Sequence, residues 1–142
     1  IYIVLSVLFI ILSAIFKRYI KTNANYTRNR IKKAGKAANK RLRTAEKLMH
    51  ERKVEAFYDE VMRALLGYAG DKLNMHTVDL TKDNVRQALA QKQVDNAIID
   101  AYLDIVAQCE YARFAPGDPN ATMDRIFTEA TEAINKLDTI LK

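Results

Sequence analysis

The residue types that most often carry catalysis or metal binding are sparse here, and their spacing suits neither task. The two histidines, His50 and His76, are isolated, whereas a zinc-binding helix needs two histidines four residues apart with an acid between them. The single cysteine, Cys109, would need a nearby base and a lowered pKa to act as a nucleophile. We expect both histidines at the surface and Cys109 as a small buried apolar residue. An enzyme that uses Cys109 as its nucleophile is the alternative.

The acids and glycines lack catalytic patterns as well. Asp100 and Asp104 form a like-charge pair four residues apart, which is more typical of a solvated helix face than of an acid–base couple. Gly35-Lys36 is not a phosphate-binding loop, because the preceding glycine and the strand before it are missing. The sequence therefore predicts no active site, no metal, no cofactor and no small-molecule substrate, and the protein is not expected to be an enzyme.

The N-terminal segment predicts a membrane-spanning helix. Ile1 to Phe16 reads IYIVLSVLFIILSAIF and carries no charge. A span needs about 20 apolar residues, so this run is slightly short. Because the chain does not begin with Met, we expect a fragment of a longer protein. A signal peptide carries its positive charge before the apolar run, and a buried core helix shows a polar stripe; neither feature is present.

The charge distribution predicts the orientation of this span. Residues 17–53 contain fourteen Lys or Arg and two acids, a net charge of +12, whereas residues 54–142 carry −6. Basic residues close behind a span are retained in the cytoplasm. We therefore expect a single-pass protein of the inner (cytoplasmic) membrane with its C-terminal domain in the cytoplasm.

The basic residues also predict contact with membrane lipid. Anionic headgroups attract basic side chains by about 1 kcal/mol each near the surface. The residues expected at the membrane surface are Lys17, Arg18, Lys21, Arg28, Arg30, Lys32 and Lys33. The alternative is a membrane-tethered nucleic-acid-binding protein that uses the basic segment 28–43, since Lys and Arg neutralise phosphates in any fold. Membrane lipid is the simpler explanation, because the segment lacks stacking aromatics and follows the span directly.

The remaining sequence has the period of packed helices and predicts an all-α fold, with one transmembrane helix followed by a small bundle of about five helices. We divide the whole chain into residues 1–21 (span and basic flank), 22–44 (basic juxtamembrane linker and helix) and 45–142 (cytoplasmic bundle). Thr22 to Thr27 has no apolar periodicity and is expected to act as a short joint.

The expected helix boundaries follow from capping residues and glycines. Thr81, Asp95 and Asp118 are the expected N-caps of three helices, and Pro119 suits the first position of the last one. Gly67 and Gly70 lie inside the helix predicted over residues 53–73. That helix either frays after Tyr68 or is continuous, with the glycines allowing close approach of another element.

Three segments of the chain resemble the cytoplasmic tail of the BatD family of bacterial aerotolerance proteins. These segments are AFYDEVMRALLGYAGDKL (56–73), LTKDNV (80–85) and CEYARFAP (109–116). The resemblance covers residues 45–141 and extends to the span and basic linker. It implies a non-enzymatic scaffold of a membrane-bound Bat complex, acting with von Willebrand A-domain membrane proteins and with MoxR-type AAA+ ATPases. It also implies a β-rich extracytoplasmic portion before Ile1.

The CEYARFAP segment (109–116) has two possible interpretations. Arg113 near a helix C-terminus interacts favourably with the helix dipole, and Pro116 stops the helix, so the segment is expected to lock one end of the bundle. Alternatively, Tyr111 and Arg113 face a partner protein.

Overall fold

The protein is all-α in a computed structural model that describes residues 1–114 and 119–141. These ranges contain no β-strand, and the apolar N-terminal helix leads into a helical bundle, which confirms the predicted fold class. The helices are α1 (Tyr2–His50), α2 (Val54–Lys72), α3 (Lys82–Gln91), α4 (Asn96–Phe114) and α5 (Pro119–Ile140), with a 3₁₀ turn at Thr77–Asp79.

α1 is a single continuous helix of 49 residues, so the joint predicted at Thr22 to Thr27 is wrong. The segment contains no proline or glycine, and the polar side chains that suggested a break are compatible with helix. Thr22 satisfies its hydroxyl within the helix by donating to the carbonyl of Arg18 at 2.9 Å. At about 1.5 Å per residue the helix is about 73 Å long.

The second half of α1 belongs to the core of the bundle. Its buried residues follow the helical period and are Ala34, Ala38, Leu42 and Ala45. Three of the four are alanines, which allow α2 and α5 to pack close to the α1 backbone. The packed bundle therefore begins near Ala34, which corrects the expected boundary between a linker at 22–44 and a bundle at 45–142.

α2 is the central helix and packs against α1, α4 and α5. The helix runs unbroken through Gly67 and Gly70. Gly70 has a packing role, because a Cβ at that position would lie 3.0 Å from the Leu80 side chain in the connector to α3. The largest side chains buried on α2 are Phe57, Tyr58, Leu65 and Tyr68.

The N-caps predicted from sequence are present where the structure describes them. Thr81 Oγ1 accepts a hydrogen bond from the backbone N–H of Asn84 at 3.1 Å, and Asp95 Oδ1 accepts one from Ala97 at 3.2 Å. Pro119 is the first residue of α5. The predicted break from Pro116 and the cap at Asp118 lie outside the described residues.

Long-range contacts define the two ends of the bundle. Arg30 of α1 meets Asp71 near the end of α2, and Gly35 of α1 meets Asp138 near the end of α5. Both α2 and α5 therefore run antiparallel to α1. Arg113 at the end of α4 contacts Asp59 near the start of α2, so this end of α4 lies far from the apolar N-terminus of α1.

Candidate functional site

The N-terminal part of α1 is long and apolar enough to cross a membrane, and none of it is buried against the rest of the protein. Its large apolar side chains from Ile1 to Ile15 are all exposed. Ser6, one of its two serines, donates its hydroxyl to the carbonyl of Tyr2 at 2.9 Å and so needs no external partner. The core of a soluble bundle would bury such a surface.

Most of the predicted membrane-surface residues have exposed side chains. These residues are Lys17, Arg18, Lys21, Arg28, Lys32 and Lys33. Arg30 is different, because its guanidinium lies 2.8 Å from Asp71 Oδ1 and donates to the carbonyl of Met75 at 2.9 Å. Arg30, which was predicted at the membrane surface, therefore joins α1 to the end of α2 in the structure.

The two candidate partner-facing residues point in different directions. Arg113 Nη1 lies 2.9 Å from Asp59 Oδ1, and Nε lies 3.6 Å from Glu55 Oε1, so Arg113 joins the end of α4 to the start of α2. Tyr111 is 73% exposed and Phe114 is 79% exposed. The ion pairs of Arg113 are consistent with the prediction that this segment holds one end of the bundle together. The rings of Tyr111 and Phe114 lie at the surface of the bundle.

Cys109 is completely buried. Burial, followed by the nearby charge of Glu110, raises the pKa of its thiol to about 12. Because the thiolate is the reactive form, this environment suppresses nucleophilicity. These observations agree with the reading of Cys109 as a small core residue and disfavour the cysteine-enzyme alternative.

The other residues considered for catalysis or metal binding lie at the surface and do not form a cluster in the described parts of the chain. His50 and His76 are exposed, Asp100 pairs with Arg86, and Asp104 accepts a hydrogen bond from Gln108 at 2.7 Å. Within residues 1–114 and 119–141, no three His, Cys, Asp or Glu side chains are placed to hold a metal ion.

Comparison of the chain with protein-family models, with curated proteins and with solved structures found no match.

One surface that the sequence did not predict is a groove of about 560 Å³ between α1 and α2. We call it the α1–α2 groove. Its lining residues are Arg30, Arg41, Met62, Arg63, Leu66, Gly67, Asp71, Thr77 and Leu80. The sequence signal was weak, because the groove combines one side of α1 with one side of α2 and with the connector, and each of these is unremarkable alone.

A polar network at the other side of α1 is structural. The hydroxyl of Tyr68 donates to Asp138 Oδ1 at 2.9 Å, and Lys72 Nζ lies 3.5 Å from the same oxygen. Burial, and then the hydrogen bond and charge of Asp138, raise the pKa of Tyr68 well above its usual value. The phenol stays protonated at neutral pH and acts as a hydrogen-bond donor within the bundle.

Proposed function

We propose that this chain is a non-catalytic, membrane-anchored scaffold or docking subunit of a bacterial envelope complex. The observation that carries the proposal is the continuity of α1, whose exposed apolar end and buried alanine stripe lie on one helix. A bundle built on the same helix as a span is attached to the membrane without a flexible joint. Such an arrangement suits a protein that presents a surface at a fixed position.

The proposed partners follow from the resemblance to BatD aerotolerance proteins. They are von Willebrand A-domain membrane proteins and a MoxR-type ATPase, in addition to membrane lipid. We further propose that the protein crosses the inner membrane once, with the bundle in the cytoplasm, because its basic residues follow the apolar run. No cofactor and no substrate is part of this proposal.

The test is a comparison of the complexes recovered from solubilised membranes of cells that express the full chain or a form without residues 45–142. The span and basic flank remain in the shortened form, so membrane insertion serves as the internal control. We expect the partners to be lost while the anchor stays in the membrane. Unchanged recovery of the complex would contradict the scaffold role, and a reporter after Lys142 that is active only outside the membrane would contradict the orientation.

A second candidate function, nucleic-acid binding, is favoured by one observation. The solvent face of α1 carries a row of exposed cations that form no ion pair within the described parts of the chain. These residues are Lys32, Lys36, Lys40, Arg43 and Lys47. Tight binding of a 20-base-pair duplex, weakening steeply as salt rises, would favour this candidate over the scaffold.

A further inference from the structure

The floor of the α1–α2 groove is apolar and open. Met62, Leu66 and Leu80 are partly buried hydrophobic residues that pack against the core and also line the groove. A Cβ at Gly67 would find its nearest neighbour, Nε of Arg41, only at 3.9 Å, so space remains above the floor. An apolar side chain from outside the bundle would be partly desolvated here, which is favourable at about 25 cal/mol per Å².

The walls of the groove carry positive charge that the bundle itself does not neutralise. Arg30 is held by Asp71 at 2.8 Å, whereas Arg41 approaches Glu60 only at 3.4 Å and is about half exposed. Arg63 is exposed and forms no ion pair with any residue in the ranges 1–114 and 119–141. Carboxylates from outside would therefore find the guanidinium of Arg63 available and that of Arg41 held only by a long bond to Glu60. Arginine and carboxylate groups form strong bidentate pairs.

Distance places most of the groove beyond the reach of lipid, if the protein spans the membrane as proposed above. Arg30 and Arg41 follow Lys21 by nine and twenty residues on the same continuous helix, about 13 and 30 Å along its axis. The headgroup layer adds only about 5 to 7 Å to each side of the hydrocarbon, and salt screens charges over about 8 Å. Anionic headgroups therefore do not explain Arg41 or Arg63.

The composition of the groove also disfavours nucleic acid. None of its lining residues is aromatic, and base stacking on aromatic side chains supplies much of the affinity for single strands. A phosphate backbone would also gain nothing from an apolar floor.

We propose that the α1–α2 groove binds an amphipathic, acidic α-helix of a partner protein. The distance between Arg30 and Arg41 along α1 is about 16 Å, which matches three turns of a docked helix. Apolar side chains at positions i, i+3 or i+4, and i+7 of that helix contact the floor, as in other helix-in-groove complexes. Its carboxylates pair with Arg41 and Arg63. This inference rests on the proposed scaffold function and identifies the chemistry of one partner.

The test uses the full 142-residue chain in nanodiscs of zwitterionic lipid. The probe is a fluorescent synthetic 18-residue helix with leucines at the i, i+3, i+4 and i+7 positions and glutamates on either side of them. A peptide of the same composition in scrambled order is the matched control for charge. Fluorescence anisotropy should show that the ordered peptide binds at least about tenfold more tightly, a difference of about 1.4 kcal/mol.

Two groove variants and one control variant locate the binding. Gly67→Leu fills the floor with a good helix former, so the bundle stays folded, and Arg63→Glu reverses the charge of an exposed wall residue. Each should weaken binding by at least about fivefold, roughly 1 kcal/mol. Lys36→Glu, on the exposed side of α1 away from its buried stripe, should leave binding within about twofold.

The following results would overturn this proposal. They are failure of the ordered peptide to bind, equal binding of the scrambled peptide, and an effect of Lys36→Glu as large as that of Arg63→Glu. Displacement of the peptide from the groove by a 20-base-pair duplex would also overturn it, in favour of nucleic acid. The scaffold proposal is judged separately, because recovery of complexes from membranes does not depend on this peptide.

Discussion

The carboxylate of Asp138 on α5 lies directly against the α-carbon of Gly35 on α1. A Cβ at position 35 would lie 2.8 Å from Asp138 Oδ2, which is closer than such atoms approach in proteins. The other oxygen, Oδ1, accepts the hydrogen bond of Tyr68 and lies 3.5 Å from Lys72 Nζ. Because Gly35 has no side chain, Asp138 can lie against α1 and still bond to Tyr68 on α2. These contacts fix the end of α5 against both helices.

We expect Gly35→Ala to reduce the free energy of unfolding by about 1 kcal/mol. The added methyl group displaces the Asp138 carboxylate and weakens its bond to the partly buried hydroxyl of Tyr68, a loss of about 1 to 3 kcal/mol. The higher helix propensity of alanine offsets about 1 kcal/mol of it. Urea denaturation followed by circular dichroism measures the net change.

The sign of this effect should reverse once the carboxylate is removed. In an Asp138→Ala background, Gly35→Ala should stabilise the bundle by up to about 1 kcal/mol, because only helix propensity remains. Gly67→Ala is the matched control in the native background and should also stabilise, since the nearest atom is 3.9 Å from its Cβ. Equal stabilisation by the two single alanine variants would show that Asp138 places no constraint on position 35.

Arg113→Ala should reduce the free energy of unfolding by about 1 kcal/mol, the usual scale for a partly exposed charged hydrogen bond. The guanidinium lies 2.9 Å from Asp59 Oδ1 and joins α4 to α2. A thermal-denaturation cycle with Asp59→Ala measures the coupling between them. Additive effects, with partner recovery reduced by Arg113→Ala alone, would support the partner-facing reading of Arg113 instead.

The starts of α3 and α4 were predictable from their capping residues, whereas the helix ends carry a weaker signal. Thr81 and Asp95 are standard N-caps, and their hydroxyl and carboxylate accept the free amides as expected. Helices commonly end with a glycine in the left-handed conformation. Here the corresponding positions are Arg52, Asn74 and Gln93, with φ between 52 and 61°. No glycine marks these three ends.

Hydrophobic periodicity did not predict the continuity of α1 through Thr22 to Thr27 or the surfaces formed between helices. Thr22 to Thr27 is polar, but local polarity does not break a helix that is continued by apolar residues before it and by a packed face after it. The contact of Gly35 with Asp138 joins residues far apart in sequence. The α1–α2 groove likewise brings Arg41 of α1 together with Met62 and Arg63 of α2 in one lining. Such pairs arise from tertiary packing, and a single sequence contains no period that reports them.

Gln93→Gly should stabilise the protein by about 0.5 to 1 kcal/mol. Gln93 has φ of 61° after α3, where its N–H bonds to the carbonyl of Ala90 and the next N–H bonds to that of Leu89. Glycine adopts this conformation without steric strain. The midpoint of urea denaturation should rise with an unchanged m-value. Gln93→Ala, which keeps a Cβ, is the control and should produce no gain.

Alkaline pH should destabilise the bundle partly through Cys109. Burial raises the pKa of this thiol from 9.0 to about 12 in the folded state. Between these pH values the unfolded chain loses the thiol proton and the folded chain keeps it. The contribution of Cys109 to stability is therefore fully present below about pH 9 and is lost as pH rises. Cys109→Ala should remove about 1 kcal/mol of the loss between pH 8 and 10. Equal pH profiles for the two proteins, or rapid alkylation of the folded thiol, would contradict a buried Cys109.

Asn25→Pro should uncouple the apolar part of α1 from the bundle without unfolding either. Proline removes one backbone hydrogen bond and clashes with the preceding turn, at a cost of about 3 kcal/mol inside a helix. The core begins near Ala34, about nine residues later, so the melting of the bundle should change little.

Spin labels at Lys21 and Lys36, in a Cys109→Ala background, are separated by fifteen residues, about 22 Å on a straight helix. The native distance distribution should be narrow and that of Asn25→Pro broad, whereas Asn25→Ala should retain the narrow one because alanine preserves the helix. A broad distribution in the native sequence would mean that the bundle is tethered loosely, and a docking surface held at a fixed height above the membrane would then have no physical basis.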